Sequence, residues 1–433
     1  MFHKRIQLGL IHMAVAMTLV PINSTLNRVM IKDLGISATL VALLASLPYL
    51  ISPIQVAIGS FADRHAVRGL RRTPYIALGL ILCVSGVILS PYAAYLMAGN
   101  FWVGLIVAFL AFGAWGMGYN LSAVSYMSLA SEISGEKGRS RTIAIMFIMM
   151  ITGIILTSLA LSRMLDPYSP QVLADSFWVI GLVALVLGIL GLIRLEKRQV
   201  QPDSAESPNY SWSEMMRLVS ENQQVKTFFL YLIILLAAIL GQDILLEPYA
   251  GEAFSMPVQV TTRITSIWGV CFLVAMIVAG VLEGRVQKIT LARIGGWNAM
   301  LGFVLIASSG ILGSTDVFYA GLIVLGVGTG LSTVSNLSLM LDMTTAGKVG
   351  LYIGIWGMAN AISRLIGSMI GGGIRDALNR YLQDPVMAYV AVFVFMALLM
   401  LISLWMLSRI DVRQFRKQAD DPAGILERGI LVD

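Results

Sequence analysis

Long apolar runs separated by short polar turns make up most of this chain. Twelve runs can be drawn, at about residues 6–30, 38–62, 74–97, 101–130, 142–162, 177–195, 226–249, 260–282, 294–313, 317–341, 349–374 and 386–408. Each is close to the roughly 20 apolar residues that one helical crossing of a bilayer requires. None alternates apolar and polar positions as a barrel strand does, so only helices can satisfy these backbone groups in lipid. The pattern predicts an all-α polytopic membrane protein with twelve transmembrane helices.

The longest polar stretch, Glu196 to about Lys226, leaves six runs on either side. The expected layout is a six-helix half over 1–195, a linker over 196–225, a second six-helix half over 226–408 and a tail over 409–433. The stretch from Gln201 to Asn209 has the composition of a flexible linker. After it, Trp212, Met215, Met216, Leu218 and Val219 form an apolar stripe beside Glu214 and Arg217, which predicts a short amphipathic helix lying on the membrane surface.

An internal echo supports two related halves. Gly116-Met117-Gly118 recurs as Gly328-Thr329-Gly330, and Gly135 and Gly138 recur as Gly347 and Gly350, all at an offset of 212. Gly59 to Arg64 has a weaker echo in Gly280 to Arg285. Two homologous six-helix bundles are how one large transporter fold is built.

Composition narrows the function. Hydrophobic residues are 57% of the chain and charged residues 12%, against about 25% charged in an ordinary soluble protein. That excludes a soluble enzyme or a disordered chain. Of 30 Lys and Arg, 23 fall at the N-terminus, in the even-numbered loops and in the tail, and six on the other side. The bias predicts both termini in the cytoplasm, in a cell inner membrane or a photosynthetic one. The net charge of +6 then reflects topology and implies no nucleic-acid partner.

Chemistry-bearing motifs are sparse. Cys83 and Cys271 lie in apolar runs, and His3, His12 and His65 form no metal-ligand spacing with them. No nucleophile elbow or phosphate loop is present, and an enzyme is not expected. Gly326-Val327-Gly328-Thr329-Gly330 sits inside an apolar run and reads as helix packing. Gly326/Gly330, Gly350/Gly354 and Gly367/Gly371 have the small-xxx-small spacing of close helix approach, and Gly371-Gly372-Gly373 reads either as part of that packing or as a flexible end of the eleventh span.

Charges at bilayer depth need an explanation, at on the order of 3 kcal/mol each. Asn23, Asn27 and Arg28 lie at the outer end of the first span; Gln242, Asp243 and Glu247 lie at the outer end of the seventh. Asp243 and Glu247 share a helix face. The expectation is an outer latch in which Arg28 pairs with Glu247 or Asp243. Arg364, near the midplane of span eleven, needs an acceptor, and Asp243 is the best placed. The plainer reading of these groups is static pairs that fix helix register. His12, two turns into span one, is either a hydrogen-bonded interhelical histidine or a ligand to the magnesium of a chlorophyll-type ring. His12, Asn27, Asn120, Gln242 and Asn336 are the candidates for contacts to a pigment or a polar cavity.

The loop after span two reads Gly59-x-x-x-Asp63-Arg64, then Gly69-Leu70-Arg71-Arg72. It resembles the signature of the major facilitator superfamily, with three extra residues before the second glycine. The resemblance implies that Asp63, Arg64, Arg71 and Arg72 tie helix ends together at the cytoplasmic face. Thr25-Leu26-Asn27-Arg28-Val29-Met30, Arg71-Arg72-Thr73-Pro74-Tyr75-Ile76 and Gln242-Asp243-Ile244-Leu245-Leu246-Glu247-Pro248-Tyr249 look like the PucC/LhaA branch of that superfamily, which is implicated in assembling light-harvesting complexes. The resemblance implies an assembly factor that binds or delivers chlorophyll or bacteriochlorophyll, as cargo, to antenna or photosystem subunits. Two other readings stay open. One is a proton-coupled carrier of a small solute, for which Asp243 is the candidate carboxylate. The other is a non-transporting scaffold for antenna assembly.

Overall fold

The computed structural model describes residues 2–196, 223–282, 284–342 and 349–410. The amphipathic helix expected after the linker and most of the C-terminal tail lie outside them, as does Gly347. The described chain is almost wholly helical, in twelve consecutive crossings. α1 is Phe2–Asp33, α3 Thr73–Gly99, α4 Phe101–Gly135, α5 Arg141–Met164 and α6 Pro170–Leu192. α8 is Val258–Leu282, α9 Lys288–Leu312, α10 Thr315–Asp342 and α12 Pro385–Leu407.

The remaining three crossings are less regular. α2 comprises Ala38–Ala45, Leu47–Leu50 and Gln55–Arg64. Pro48 and Pro53 interrupt it, because proline removes a donor and its ring crowds the preceding turn. α7 runs Gln223–Gly241, tightens into a single 3₁₀ turn at Gln242–Ile244 and resumes as Leu246–Phe254. α11, Val349–Leu382, carries Asn360 and Arg364 among its apolar residues. Ten described helices are long and apolar enough to cross a membrane on composition alone; α2 and α11 complete the twelve. α4 and α5 are continuous except at Gly135, whose φ of +60° is open to glycine and costly for other residues.

α1 also departs from regular geometry. It widens into π turns at Pro21–Leu26 and Val29–Asp33, the first beginning at the proline. Such turns are rare and frequent at functional sites. The irregular stretches of α1 and α7 lie side by side.

Each half is built around the same backbone-tight crossing. In the first half a Cβ on Gly79 would lie 2.3 Å from Ser122 Oγ, one on Gly118 2.5 Å from Cys83 N, and one on Gly86 2.6 Å from Trp115 N. In the second, Gly295 meets Ser332 Oγ at 2.5 Å, Gly328 meets Ala299 N at 2.4 Å, and Gly302 meets Leu325 N at 2.7 Å. The α3–α4 and α9–α10 crossings therefore share one construction. Structurally Gly118 corresponds to Gly328, an offset of 210 in place of the 212 read from the sequence. An ion pair repeats in the same register. Arg72 Nη2 lies 3.0 Å from Glu132 at the start of α3 and end of α4, and Lys288 Nζ lies 3.0 Å from Asp342 at the start of α9 and end of α10.

The glycine run of α10 is a double wedge. Gly326 and Gly330 face α8, against Trp268 O and Phe272 O, while Gly328 faces α9. In α11, Gly371 to Gly373 lie inside a continuous helix rather than at a flexible end, and a Cβ on Gly372 would meet Ala38 O at 2.9 Å. Gly367 is tighter still: its Cβ would sit 2.2 Å from Ala237 O on α7. A Gly367→Val variant is expected to force α7 and α11 apart and to cost about 3 kcal/mol, the upper end for overpacking. Thermal unfolding in detergent checks this, and an unshifted melt would refute it.

The outward surface is apolar. Trp102, Ile106 and Leu110 form an exposed stripe on α4, and Val394, Leu398, Leu401 and Trp405 one on α12. Exposed stripes of this size suit lipid.

Candidate functional site

The two halves meet along a seam formed by α1, α2 and α5 on one side and α7, α8 and α11 on the other. Hydrogen bonds across it cluster at the end away from the basic loops, hereafter the opposite face. Ser24 Oγ donates to Glu247, Thr25 and Thr262 hydroxyls lie 3.0 Å apart, and Lys32 donates to Gly251 O. Ser158 Oγ donates to Thr262 O at 2.7 Å and Ser162 Oγ to Gln259 O at 2.6 Å, joining α5 to α8.

The firmest cross-seam contact is at Asp376, near the end of α11. Its carboxylate accepts four hydrogen bonds at the start of α2: Ser37 Oγ at 2.6 Å, Ala38 N at 3.1 Å, Thr39 N at 2.8 Å and Thr39 Oγ1 at 2.7 Å. The first N–H groups of a helix have no partner within it and carry partial positive charge, so a carboxylate there is doubly favoured. Arg375 Nη1 lies 3.1 Å from the same carboxylate and its guanidinium 5.1 Å from the Tyr389 ring centroid.

The expected Arg28 latch takes a different form. Arg28 is 4% exposed and pairs with Asp33 of its own helix, while Nη2 donates to Met256 O at 3.2 Å. It forms an ion pair with neither Glu247 nor Asp243. The widened second π turn carries Asp33 close enough to Arg28 to take its guanidinium. Glu247, 2% exposed, has only hydroxyl donors: Ser24 of α1 and Thr265 Oγ1 of α8, the latter at 2.8 Å.

Asp243 and Arg364 come together at 3.0 Å, linking α7 to α11 within the second half. The guanidinium also lies 5.1 Å from the centroid of the Tyr49 ring on α2, within cation–π range. Tyr49 and Tyr119 stand edge to face at 6.4 Å. Gln242 Nε2 donates to Asp243 at 2.8 Å.

The other candidates are dispersed. Asn120 Nδ2 donates to Pro48 O and Gly116 O, both at 2.8 Å, holding α4 against the broken α2. Asn336 accepts from Tyr231 OH at 2.8 Å, joining α10 to α7. Asn27 Nδ2 donates to Asn23 O at 3.0 Å. His12 is 6% exposed, with the Tyr126 ring centroid at 5.0 Å and that of Phe147 at 5.4 Å; its Nδ1 is buried without a hydrogen-bond partner.

At the basic face, Arg72 bridges to Glu132, and the Glu196 carboxylate accepts from the backbone N–H groups of Arg71, Arg72 and Thr73 at the start of α3, at 2.7, 3.1 and 2.7 Å. A Cβ built on Gly59 would come only into ordinary contact with Val124, and Arg64 is exposed. The Asp63 side chain is outside the described residues. Glu132 and Glu196 do much of the tying that the loop residues alone were expected to do. Tyr49, Ser24, Thr265, Asp33 and Asp376 were not singled out from the sequence. For Asp33 and Asp376 a signal existed, an acidic residue close in sequence to a buried arginine.

Comparison with known proteins agrees with this architecture. A family model described as PUCC protein matches residues 25–415. Protein PucC of Cereibacter sphaeroides is 29% identical over 410 residues, covering 90% of this chain and 88% of that protein. The bacteriochlorophyll synthase 44.5 kDa chain of Rhodobacter capsulatus is 27% identical over 412 residues, covering 92% and 93%. Among solved structures, a point mutant of the nucleoside transporter NupG superposes with a TM-score of 0.76 at 13% identity, covering 94% of this chain and 99% of that one. The chain is an integral membrane protein with the major facilitator fold, and it belongs to the PUCC protein family.

Proposed function

We propose that this protein binds a chlorophyll-type pigment and delivers it to nascent antenna or photosystem subunits, acting as a carrier and not as an enzyme. The observation that carries this reading is His12. A buried imidazole nitrogen without a hydrogen-bond partner, flanked by two aromatic rings, has the chemistry to supply an axial ligand to a central magnesium. Phe147 is partly exposed and can swing aside to admit a flat ring. The name of the Rhodobacter capsulatus relative points to the same pigment class. The ionised groups of the seam are largely consumed by one another, which suits an apolar cargo better than a polar one. In this reading the basic face is cytoplasmic.

The test is titration of the purified chain in mild detergent with bacteriochlorophyll and, separately, chlorophyll. A shifted absorption band and co-elution of pigment are expected, with His12→Leu weakening binding about tenfold, or about 1.4 kcal/mol. A chain that leaves both spectra unchanged would refute pigment binding.

A further inference from the structure

The contact between α5 and α8 is firm at one end and open at the other. Along α5, Ser162, Ser158, Ile155, Ile151, Ile148 and Ala144 recur at three- and four-residue intervals and share one face. The α8 stripe that meets it runs Thr262, Ser266, Gly269, Leu273, Ile277 and Gly280. At the opposite face the stripes are sealed by Ser158 Oγ on Thr262 O at 2.7 Å, and a Cβ on Gly269 would lie 2.9 Å from Ile155 Cγ1. Ile151 is the last buried residue of the α5 stripe toward the basic face. Beyond it Ile148 is 43% exposed and Ile277 of α8 is 52% exposed. Ala144 is exposed as well, and a Cβ on Gly280 would meet nothing within 4 Å.

The two helices therefore diverge into a slot that faces the leaflet on the basic side. Between the sealing hydroxyls and Arg141, at the first turn of α5, neither stripe carries a charge. Such walls suit hydrocarbon. Phe147 adjoins Ile148, is exposed, and stands edge to face with His12 at 5.4 Å, which sets it between the slot and the unpartnered Nδ1 of His12. The other flank of the seam, between α2 and α11, offers no comparable path. There the Arg364 guanidinium lies over the Tyr49 ring and beside Asp243, and an apolar ring passing through would have to disturb a buried ion pair.

We propose that the pigment reaches His12 sideways from the basic-side leaflet, through the α5–α8 slot, with Phe147 as the door and the hydrocarbon tail left lying between the two helices. This route rests on the pigment-binding reading of His12 and adds where the ring enters and which walls receive the tail. A macrocycle with a long alkyl tail is dissolved in lipid, and every methylene carried into water is penalised. Entry through the slot keeps the tail in hydrocarbon throughout. Phe147 gives up one edge-to-face contact as it turns, and the incoming ring offers the pocket a π face in its place. The ligand class is an amphiphile taken from the membrane; a water-soluble solute finds no charged group along this path to recognise it.

Stopped-flow mixing of the full chain in mild detergent with bacteriochlorophyll reads the rate of the band shift separately from its final extent. In a Cys83→Ser, Cys271→Ser background, a flexible bis-maleimide joins Ile148→Cys to Ile277→Cys across the slot. A second chain carries the same bridge between Ile54→Cys and Gly357→Cys, exposed positions on the α2–α11 flank, which restrains the halves in the same way and leaves the slot clear. We expect the first bridge to slow uptake about tenfold with the same final shift, the second to leave the rate unchanged, and Phe147→Ala to raise it. Pigment loaded before the first bridge is closed should stay bound, which shows an intact site. An unslowed rate with the slot bridged overturns the route, and so does equal slowing by both bridges. A chain that shows no band shift even when unbridged refutes pigment binding itself and takes this route with it.

Discussion

An Asp376→Ala variant is expected to open the opposite face. The carboxylate is the shared acceptor for the Ser37 and Thr39 hydroxyls and for the Ala38 and Thr39 amides, and these bonds cross from one half to the other. Hydrogen bonds to a charged group contribute about 1.5–3 kcal/mol each, and bonds sharing one acceptor add less than their sum. A net loss of about 3 kcal/mol follows, which shifts the closed-to-open ratio roughly a hundredfold at 1.4 kcal/mol per tenfold. A cysteine at Ala38 would read this directly, through its labelling rate with a membrane-impermeant maleimide. Asp376→Asn, which keeps an acceptor, should fall between wild type and Asp376→Ala. An unchanged labelling rate in Asp376→Ala would show that the clasp does not hold the halves together.

Asp243→Ala should be among the most damaging single changes for stability. It strands the guanidinium of Arg364, which is 3.0 Å from the lost carboxylate and about four-fifths buried. Breaking a buried pair by removing one partner costs about 3–5 kcal/mol, whereas replacing both is often near neutral; the partial exposure here points to the lower figure. Arg364→Met should be similarly harmful. The double variant Asp243→Ala/Arg364→Met should recover most of the loss. Thermal melts of the four proteins decide this. Strictly additive losses would mean that the ion pair has no energetic coupling and that Arg364 is held mainly by Tyr49.

The fold was legible because bilayer physics leaves few options. Apolar runs of the right length must be helices, and even α2, broken at Pro48 and Pro53, is helical along most of its run. Site geometry was harder to read. The Asp243–Arg364 partnership was anticipated from the shortage of alternative acceptors, since a buried cation has to find one. Arg28 was misassigned because regular helical spacing puts Asp33 off its face, and nothing in the residue pattern announces a π turn. Asp376 escaped notice because it lies beyond the apolar run, where an acidic residue looks like ordinary surface. Two of its four donors across the seam are backbone amides, which every sequence contains. The repeat was visible but two residues out of register, since Gly116 and Gly118 offer equally good matches by identity alone.

The paired glycine–serine crossings of α3 on α4 and α9 on α10 have a mechanical consequence. With backbone against backbone at six glycines, and an arginine or lysine bridge across the open end of each pair, away from its connecting turn, neither hairpin has slack to bend internally. Each behaves as a stiff strut, so a change of shape must be taken up where the chain is already irregular, in the π turns of α1 and the 3₁₀ turn of α7. A bulky residue at Gly79 should therefore have the same effect as one at Gly295, since both would weaken a strut and leave the hinge intact.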